Sequence, residues 1–480
     1  MKTTSARRLA VVAALCVAAS VLSPAGGASS ADPGAARVDA AAAIVALSSA
    51  SRVEPAPTAA ADVPIIGSAL AITASSDGRT ATSPAPAPAP GPAPAPAPSV
   101  QGASYYVDSV AGNDAASGTS PSAPWRTLGK VNATSFSPGD VIHFKRGSTW
   151  TGQQLVIDSN GTSAAPVTYR AYGTGTAPTF RNAAYGTAVK VTGNWNVVRE
   201  LRLIENAYTG VEIFGSRNVA SDNQITTSGS GMWLKGPDNL ATRNDVRDLR
   251  MYVNTVGGDD DYGAVGFWVS AANNEVSYNR CTNCKAPSHD YGYDGGFVEV
   301  WQVGDGLHVH HNVAIDTDGF IEVGGRGAGA SAVDMRLSYN LLVRTGISMC
   351  LHHDWMPIDR VTFDNNTLIG PNRIACVSPS YPGFRSTIIT MRNNIFSGNG
   401  TIATFPFTHV NNLYTANPGF TLSAGERIAD PRFRNPGAGD YRLQATSPAV
   451  DAGINVGYAT DLDGNPVSPP PDLGAYELQR

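Results

Sequence analysis

The chain has 480 residues, a net charge of −5 at neutral pH, and only 15% charged residues. That balance excludes a general binder of nucleic acid or anionic membrane, which needs a dense basic face. The length allows several domains, but much of the first hundred residues holds too few large apolar side chains to build a core.

Met1 to about Ala31 has the pattern of a secretory signal. Lys2, Arg7 and Arg8 supply the charge, an apolar stretch runs from Leu9 to Leu22, and small residues surround Ala28 and Ala31. The stretch is shorter than a comfortable membrane span. Cys16 is a poor lipid-attachment site, because bulky Leu15 precedes it. Residues 32–83 are mostly Ala, Ser and other small residues, and are expected to be low-complexity and disordered. Residues 84–102 are an Ala-Pro linker, expected to form an extended polyproline-like spacer.

The ordered domain is expected at 103–480. Tyr105–Asp108 reads as a strand, Pro124–Leu128 as a short helix, and Gly139–Gly147 as a strand between glycines. Beyond them, short β-branched runs alternate with Gly, Asn and Asp clusters.

Repetition is the strongest signal. Asparagines recur at Asn223, Asn244, Asn279, Asn312, Asn340, Asn366 and Asn394, each with a small or apolar residue three positions earlier. A second register begins at Gly210, Gly231, Gly266, Gly296, Gly319 and Gly346, each followed by an apolar residue. Such a unit is one coil that buries its apolar side only by stacking on its neighbours. Asparagines at equivalent turns then hydrogen-bond up the stack. The pattern predicts an all-β right-handed parallel β-helix rather than a β-sandwich with turn asparagines.

The opening Tyr106-Val-Asp, Gly112-Asn-Asp and Trp125-Arg-Thr-Leu128 resembles the start of secreted pectate-lyase-like β-helix proteins. The tail resembles them too, at Asp430-Pro-Arg-Phe, Ser447-Pro-Ala-Val-Asp-Ala-Gly453, Asp461-Leu-Asp-Gly-Asn465 and Asp472-Leu-Gly-Ala-Tyr-Glu477. The resemblance covers about 103–480 and implies carbohydrate-active chemistry as a class. No catalytic motif of one lyase or hydrolase family is matched, and fold does not settle reaction.

The two longest coils, Asn244 to Asn279 and Asn279 to Asn312, carry inserted loops, where function usually sits. Acidic residues gather there and in the next coil: Asp259-Asp-Asp261, Asp290, Asp294, Glu299, Asp318 and Glu322. Ala264–Val269, Asp294–Glu299 and Thr317–Glu322 align without gaps, so Glu299 and Glu322 are expected on adjacent rungs, about 4.8 Å apart. That alignment sets Val269 beside Glu299. The expected resolution is that Val298, Val300, Ile321 and Val323 face inward, because bare carboxylates in an apolar core are very costly.

In a hydrolase, Glu299 and Glu322, with Asp294 or Asp261, supply a general acid and a base or nucleophile. In a lyase, the cluster, Asp318 in particular, binds Ca²⁺, and Arg326 or Lys285 removes a proton. Turn-holding and a scaffold ion are the structural alternative, favoured for any single Asp but not for the aligned pair. Substrate contacts are expected from His289, Asp290, Tyr293, Trp268, Trp301, Arg326, His352, His353 and Trp355. His308, His310 and His311 are expected to belong to the strand and turn of their coil. Four cysteines remain after the signal, allowing three pairings. Cys281–Cys284 and Cys350–Cys376 are preferred, since the latter two lie one coil apart and a Zn site lacks its second C-x-x-C.

The expected protein is an extracellular monomer acting on a polysaccharide, with no membrane or nucleic-acid partner. Hydrolase is favoured over lyase because acids outnumber bases, and the hydrolase needs no cofactor. A non-catalytic glycan-binding surface protein is the alternative from another class.

Overall fold

The computed structural model describes residues 102–479, apart from 184–185, 371–372, 376–384, 399–401 and 404. The expected signal, the 32–83 segment and nearly all of the Ala-Pro spacer lie outside the described residues. The expected partner of Cys350, Cys376, also lies outside them. No helix of the described residues is long and apolar enough to cross a membrane.

The chain is a right-handed parallel β-helix. Among the described residues, three long parallel sheets contain twelve, nine and twelve strands. Each central coil gives one short strand to each: Val219–Ser221 to sheet A, Gln224–Thr226 to sheet B and Ser230–Leu234 to sheet C. Val246, Val276, Phe267 and Leu337 are buried inside the solenoid, stacked on equivalents one coil away.

The expected asparagine ladder forms at the bend between sheets A and B. The Oδ1 of Asn244 accepts from both the backbone N–H and the Nδ2 of Asn223, each at 3.0 Å. The same pair of bonds continues through Asn279, Asn312, Asn340, Asn366 and Asn394. It runs one coil further than expected, to Asn412. The residue before each asparagine is left-handed, as at Arg243 (φ 54°), Tyr278 (φ 55°) and His311 (φ 54°). That conformation costs an L-residue about 1–2 kcal/mol, which the ladder offsets by satisfying buried amides. A second ladder, Asn196–Asn218–Asn239–Asn274, holds the bend between sheets C and A.

The short helix forms at Leu128–Asn132, later than expected. Trp125 instead pairs with Val107 as a β-bridge, while Asp114 holds Arg126 and Thr127, freeing Thr127 to cap Lys130 N–H. At the other end the C-terminal segment packs on the outside of sheet B. There Phe433, Tyr441, Leu443 and Leu473 cover Leu341, Val343 and Ile395. The tail acids are turn-holders in this wrap. Asp461 accepts from the amides of Asn465 (2.7 Å) and Glu477 (2.8 Å), and Asp472 from those of Asp451 and Leu478.

His308 and His310 flank buried Val309 in one strand of sheet A, with His311 in the bend. His310 contacts His311 (Nδ1 to Nδ1, 2.7 Å) and Glu275 (3.0 Å), and His311 Nε2 donates to the Thr460 carbonyl at 3.0 Å. They belong to the strand and turn of their coil, as expected, and His311 ties that turn to the wrap.

A candidate active site on sheet C

One column of side chains on sheet C reads, rung by rung, Lys190, Glu212, Trp233, Trp268, Glu299, Glu322, Cys350. Glu299 and Glu322 are register partners, as expected. The expected alignment with the preceding coil is one residue out: Trp268, not Val269, lies beside Glu299, while Val269 pairs with Val300. The insertion between these coils permits the shift, and it removes the apparent conflict. Val298, Val300, Ile321 and Val323 join the buried core, and both glutamates remain partly exposed.

The two long coils do carry loops. Met251–Val253 pairs with Tyr262–Gly263, and Ala286–Ser288 with Gly292–Asp294, each as a small antiparallel ribbon. With sheet C they border an open cleft lined by Asp261, Asp294, Glu299, Asp318 and Glu322, together with Tyr262, Val298 and Ile321. Among the described lining residues there is no Lys, Arg or His.

The five acids are not equivalent. Asp261 is 2% exposed. Its Oδ1 accepts from Thr255 N–H (2.6 Å), and its Oδ2 from the Ser288 hydroxyl (2.7 Å) and Asp290 N–H (3.0 Å). Burial alone would raise this carboxyl, but those donors hold it below the usual range. It joins the two loops while lining the cleft, its oxygens engaged by those donors. Asp294 accepts from the Gly295 amide at 2.8 Å and lines the cleft beside the pair. Asp318 also lines it.

Glu322 is tied to the next rung. Its Oε1 lies 3.1 Å from His352 Nε2, which is also 3.2 Å from Cys350 Sγ. His352 is 2% exposed, its ring stacks on Trp355 at 4.3 Å, and Arg326 lies 4.3 Å over the same indole. Glu322, Cys350 and His352 are close enough to suggest a metal, but Cys350 is disulfide-bonded and offers no thiolate.

Several expected substrate contacts lie outside the cleft lining. Asp290 accepts from the amides of Asp260 and Asp261, and exposed His289 donates its own amide to Asn254. Trp301 is buried at the end of its strand, and His353 Nδ1 accepts from the Ile358 amide. None of these lines the cleft. Trp268 is 6% exposed because Trp233 and Tyr262 pack against it, so it supports the cleft rather than offering an open sugar platform. Tyr293 is exposed on the second loop, near Lys285. Cys281–Cys284 is a disulfide, both residues buried, at the root of that loop.

Beside Trp233, sequence reasoning missed Tyr208 and Tyr252: the Tyr208 ring lies 5.9 Å from that of Trp233 and 4.5 Å from that of Tyr252. It also missed the Lys235–Glu212 ion pair (2.7 Å) beneath these rings. Glu212, in the column position of Trp233, was the available signal.

The fold and cleft define a right-handed parallel β-helix protein with an acidic groove on one sheet. In agreement, residues 142–336 match the family model described as a right handed beta helix region. The structure is similar to that of pectate lyase Pel9A, with a TM-score of 0.57 and 17% identity, covering 79% of this chain and 97% of that one. A GH136 lacto-N-biosidase from Eubacterium ramulus gives a TM-score of 0.35 at 14% identity, over 64% and 68% of the two chains. A 75-residue stretch is 47% identical to lacto-N-biosidase of Bifidobacterium longum subsp. longum; it is 15% of this chain and only 5% of that protein's length.

Proposed function

We propose that this chain is an exported carbohydrate-active enzyme that hydrolyses glycosidic bonds of a polysaccharide, with Glu299 and Glu322 as the reacting carboxylates. The observation that carries this is their pairing on adjacent rungs of sheet C in a cleft. Neighbouring strands lie about 4.8 Å apart, close to the spacing of about 5–5.5 Å in glycosidases that retain anomeric configuration. One carboxyl protonates the leaving oxygen; the other attacks the anomeric carbon, and water then releases the sugar. The acid-only lining favours a neutral glycan over a polyuronate, whose charge it would repel without a cation. The 47% identical segment shared with a lacto-N-biosidase supports a glycosidase. A calcium-dependent lyase would use Asp294 and Asp318 as ligands, but neither proposed base lines the cleft: Arg326 lies over Trp355 and Lys285 over Tyr293.

The test is sugar release from a panel of neutral and uronic polysaccharides by the parent, Glu299→Gln and Glu322→Gln. Release by the parent and loss in both variants, with glycan binding kept, supports the proposal. Binding by all three without release by the parent points to a non-catalytic glycan binder.

A further inference from the structure

We propose that Tyr252, backed by Tyr208 and Trp233, is a sugar-binding platform beside the carboxylate pair, seating an uncharged ring of the glycan chain beyond the bond that is cut. This rests on the proposed glycosidase site and adds to it a subsite outside the cleft lining.

Tyr252 lies in the ribbon strand Met251–Val253, where Met251 packs against the core and Tyr252 is 36% exposed. A single exposed tyrosine is ordinary; the setting of this one is not. Its ring lies 5.5 Å from that of Tyr262, which lines the cleft, and 4.5 Å from that of Tyr208. Tyr208 in turn meets Trp233 edge to face at 5.9 Å, and both are partly exposed. Aromatic surface therefore continues from the cleft wall onto earlier rungs of sheet C. In the column, only Trp268 separates Trp233 from Glu299. Two rungs are about 10 Å, so a sugar held there is not the one that reacts.

The ribbon fixes the ring's position. Gly263, opposite Met251, has a φ of 145°, and a Cβ there would lie 2.4 Å from the Tyr252 nitrogen. Only glycine lets the two strands approach this closely.

The charges nearby select for a neutral ring. Lys235 lies 3.8 Å over the Trp233 indole and is paired with Glu212 at 2.7 Å, while Glu212 also accepts from the Thr187 hydroxyl at 2.8 Å. What remains for a ligand is flat ring surface and phenol hydroxyls, which match the C–H face and the hydroxyls of a pyranose. Burial first, then Tyr262, Glu212, Tyr252 and Glu299, push the Tyr208 hydroxyl well above its usual range, so it stays protonated.

The experiment compares Tyr252→Ala with Tyr252→Phe in the full-length protein, using short and long end-labelled oligosaccharides of β-glucan, xylan, galactan and chitin. Tyr252→Ala should lower the long-to-short ratio of kcat/KM about 3- to 10-fold, mainly through KM, and Tyr252→Phe should keep most of it. An unchanged ratio in a folded Tyr252→Ala variant, with release still lost in Glu299→Gln, overturns the platform and leaves the glycosidase standing. If the parent cuts none of these, the glycosidase reading fails, and tryptophan fluorescence titration with the long oligosaccharides decides the platform. Weaker binding by Tyr252→Ala than by the parent then supports it; equal binding, or none by the parent, overturns it. A parent dimer that Tyr252→Ala dissociates in sedimentation also overturns it, because these rings would then face a second copy of the chain.

Discussion

Replacing Asn312 by alanine tests whether the ladder is what holds the coils in register. Asn312 is fully buried and its side chain makes four hydrogen bonds, to three residues. Its Oδ1 accepts the Asn279 amide (2.8 Å) and the Asn279 Nδ2 (3.2 Å), while its own Nδ2 donates to the Val276 carbonyl (2.8 Å) and Asn340 Oδ1 (3.0 Å). Truncation leaves the other two side chains with a remaining partner each, through Ala241 O for Asn279 and the Asn312 amide for Asn340. Two buried backbone groups lose a bond, the Asn279 N–H and the Val276 C=O. At about 1–3 kcal/mol per abandoned group, the expected loss is about 4 kcal/mol. Asn312→Asp should cost at least as much at neutral pH, because an anionic oxygen would face two acceptors. It should recover in acid, where a neutral carboxyl can donate. Asn455→Ala, on an exposed turn where Asn455 Oδ1 accepts only the Gly457 amide, should cost less than about 1 kcal/mol. Urea unfolding followed by fluorescence gives the magnitudes, and hydrogen exchange should place the loosening at coils 276–340. A loss below 1 kcal/mol for Asn312→Ala, or exchange unchanged at those coils, refutes the reasoning.

Glu299→Gln and Glu322→Gln should each lower kcat by about 10²–10⁴-fold while leaving the melting temperature within a few degrees, since neither side chain belongs to the core; loss of folding in either variant would contradict this. Two opposing contributions should leave stability nearly level between about pH 4.5 and 6.5 and let it fall on either side, read as Tm against pH. On the acid side, burial and the neighbouring His310 hold His311 down to about 4. The unfolded chain therefore binds more protons than the folded one below pH 6.5, and roughly 3 kcal/mol is lost between pH 6.5 and 4. On the alkaline side, burial and then Asp472 push Glu477 up to about 8. This contribution is fully present below pH 4.5 and fades as pH rises through 8, so Glu477→Gln should flatten the alkaline limb. Cys281–Cys284 closes only a very short loop, so reducing it should cost about 2 kcal/mol, measured as a urea midpoint shift with little change in activity. Chelator should leave activity unchanged, and a strict calcium requirement in the same assay would recast Asp294 and Asp318 as metal ligands.

The solenoid was legible because its coils repeat a short pattern, and buried amides in a stack allow few residues besides asparagine at the bend. Glu299 and Glu322 were legible for a related reason. The segments Asp294–Glu299 and Thr317–Glu322 are separated by an ordinary coil with no long insertion before the second. The preceding junction carries the loop pinned by Cys281–Cys284, and there the alignment slipped by one residue. The fates of Asp261, Asp290 and His289 depend on how two loops dock on each other, which sequence spacing does not encode. His352 was visible only as one of two adjacent histidines. That it turns toward Glu322 while His353 caps a turn follows from the stack with Trp355. The C-terminal wrap was read as a family-like tail, and its acids serve backbone amides.

The most direct test of the central claim is the mass of the products formed in ¹⁸O-labelled water, with calcium and with chelator. Hydrolysis at the Glu299–Glu322 cleft predicts one labelled oxygen per bond cut, placed on the new reducing end, independent of calcium and absent with Glu299→Gln. Unsaturated, unlabelled products that appear only with calcium would contradict it and make this cleft the site of an eliminase.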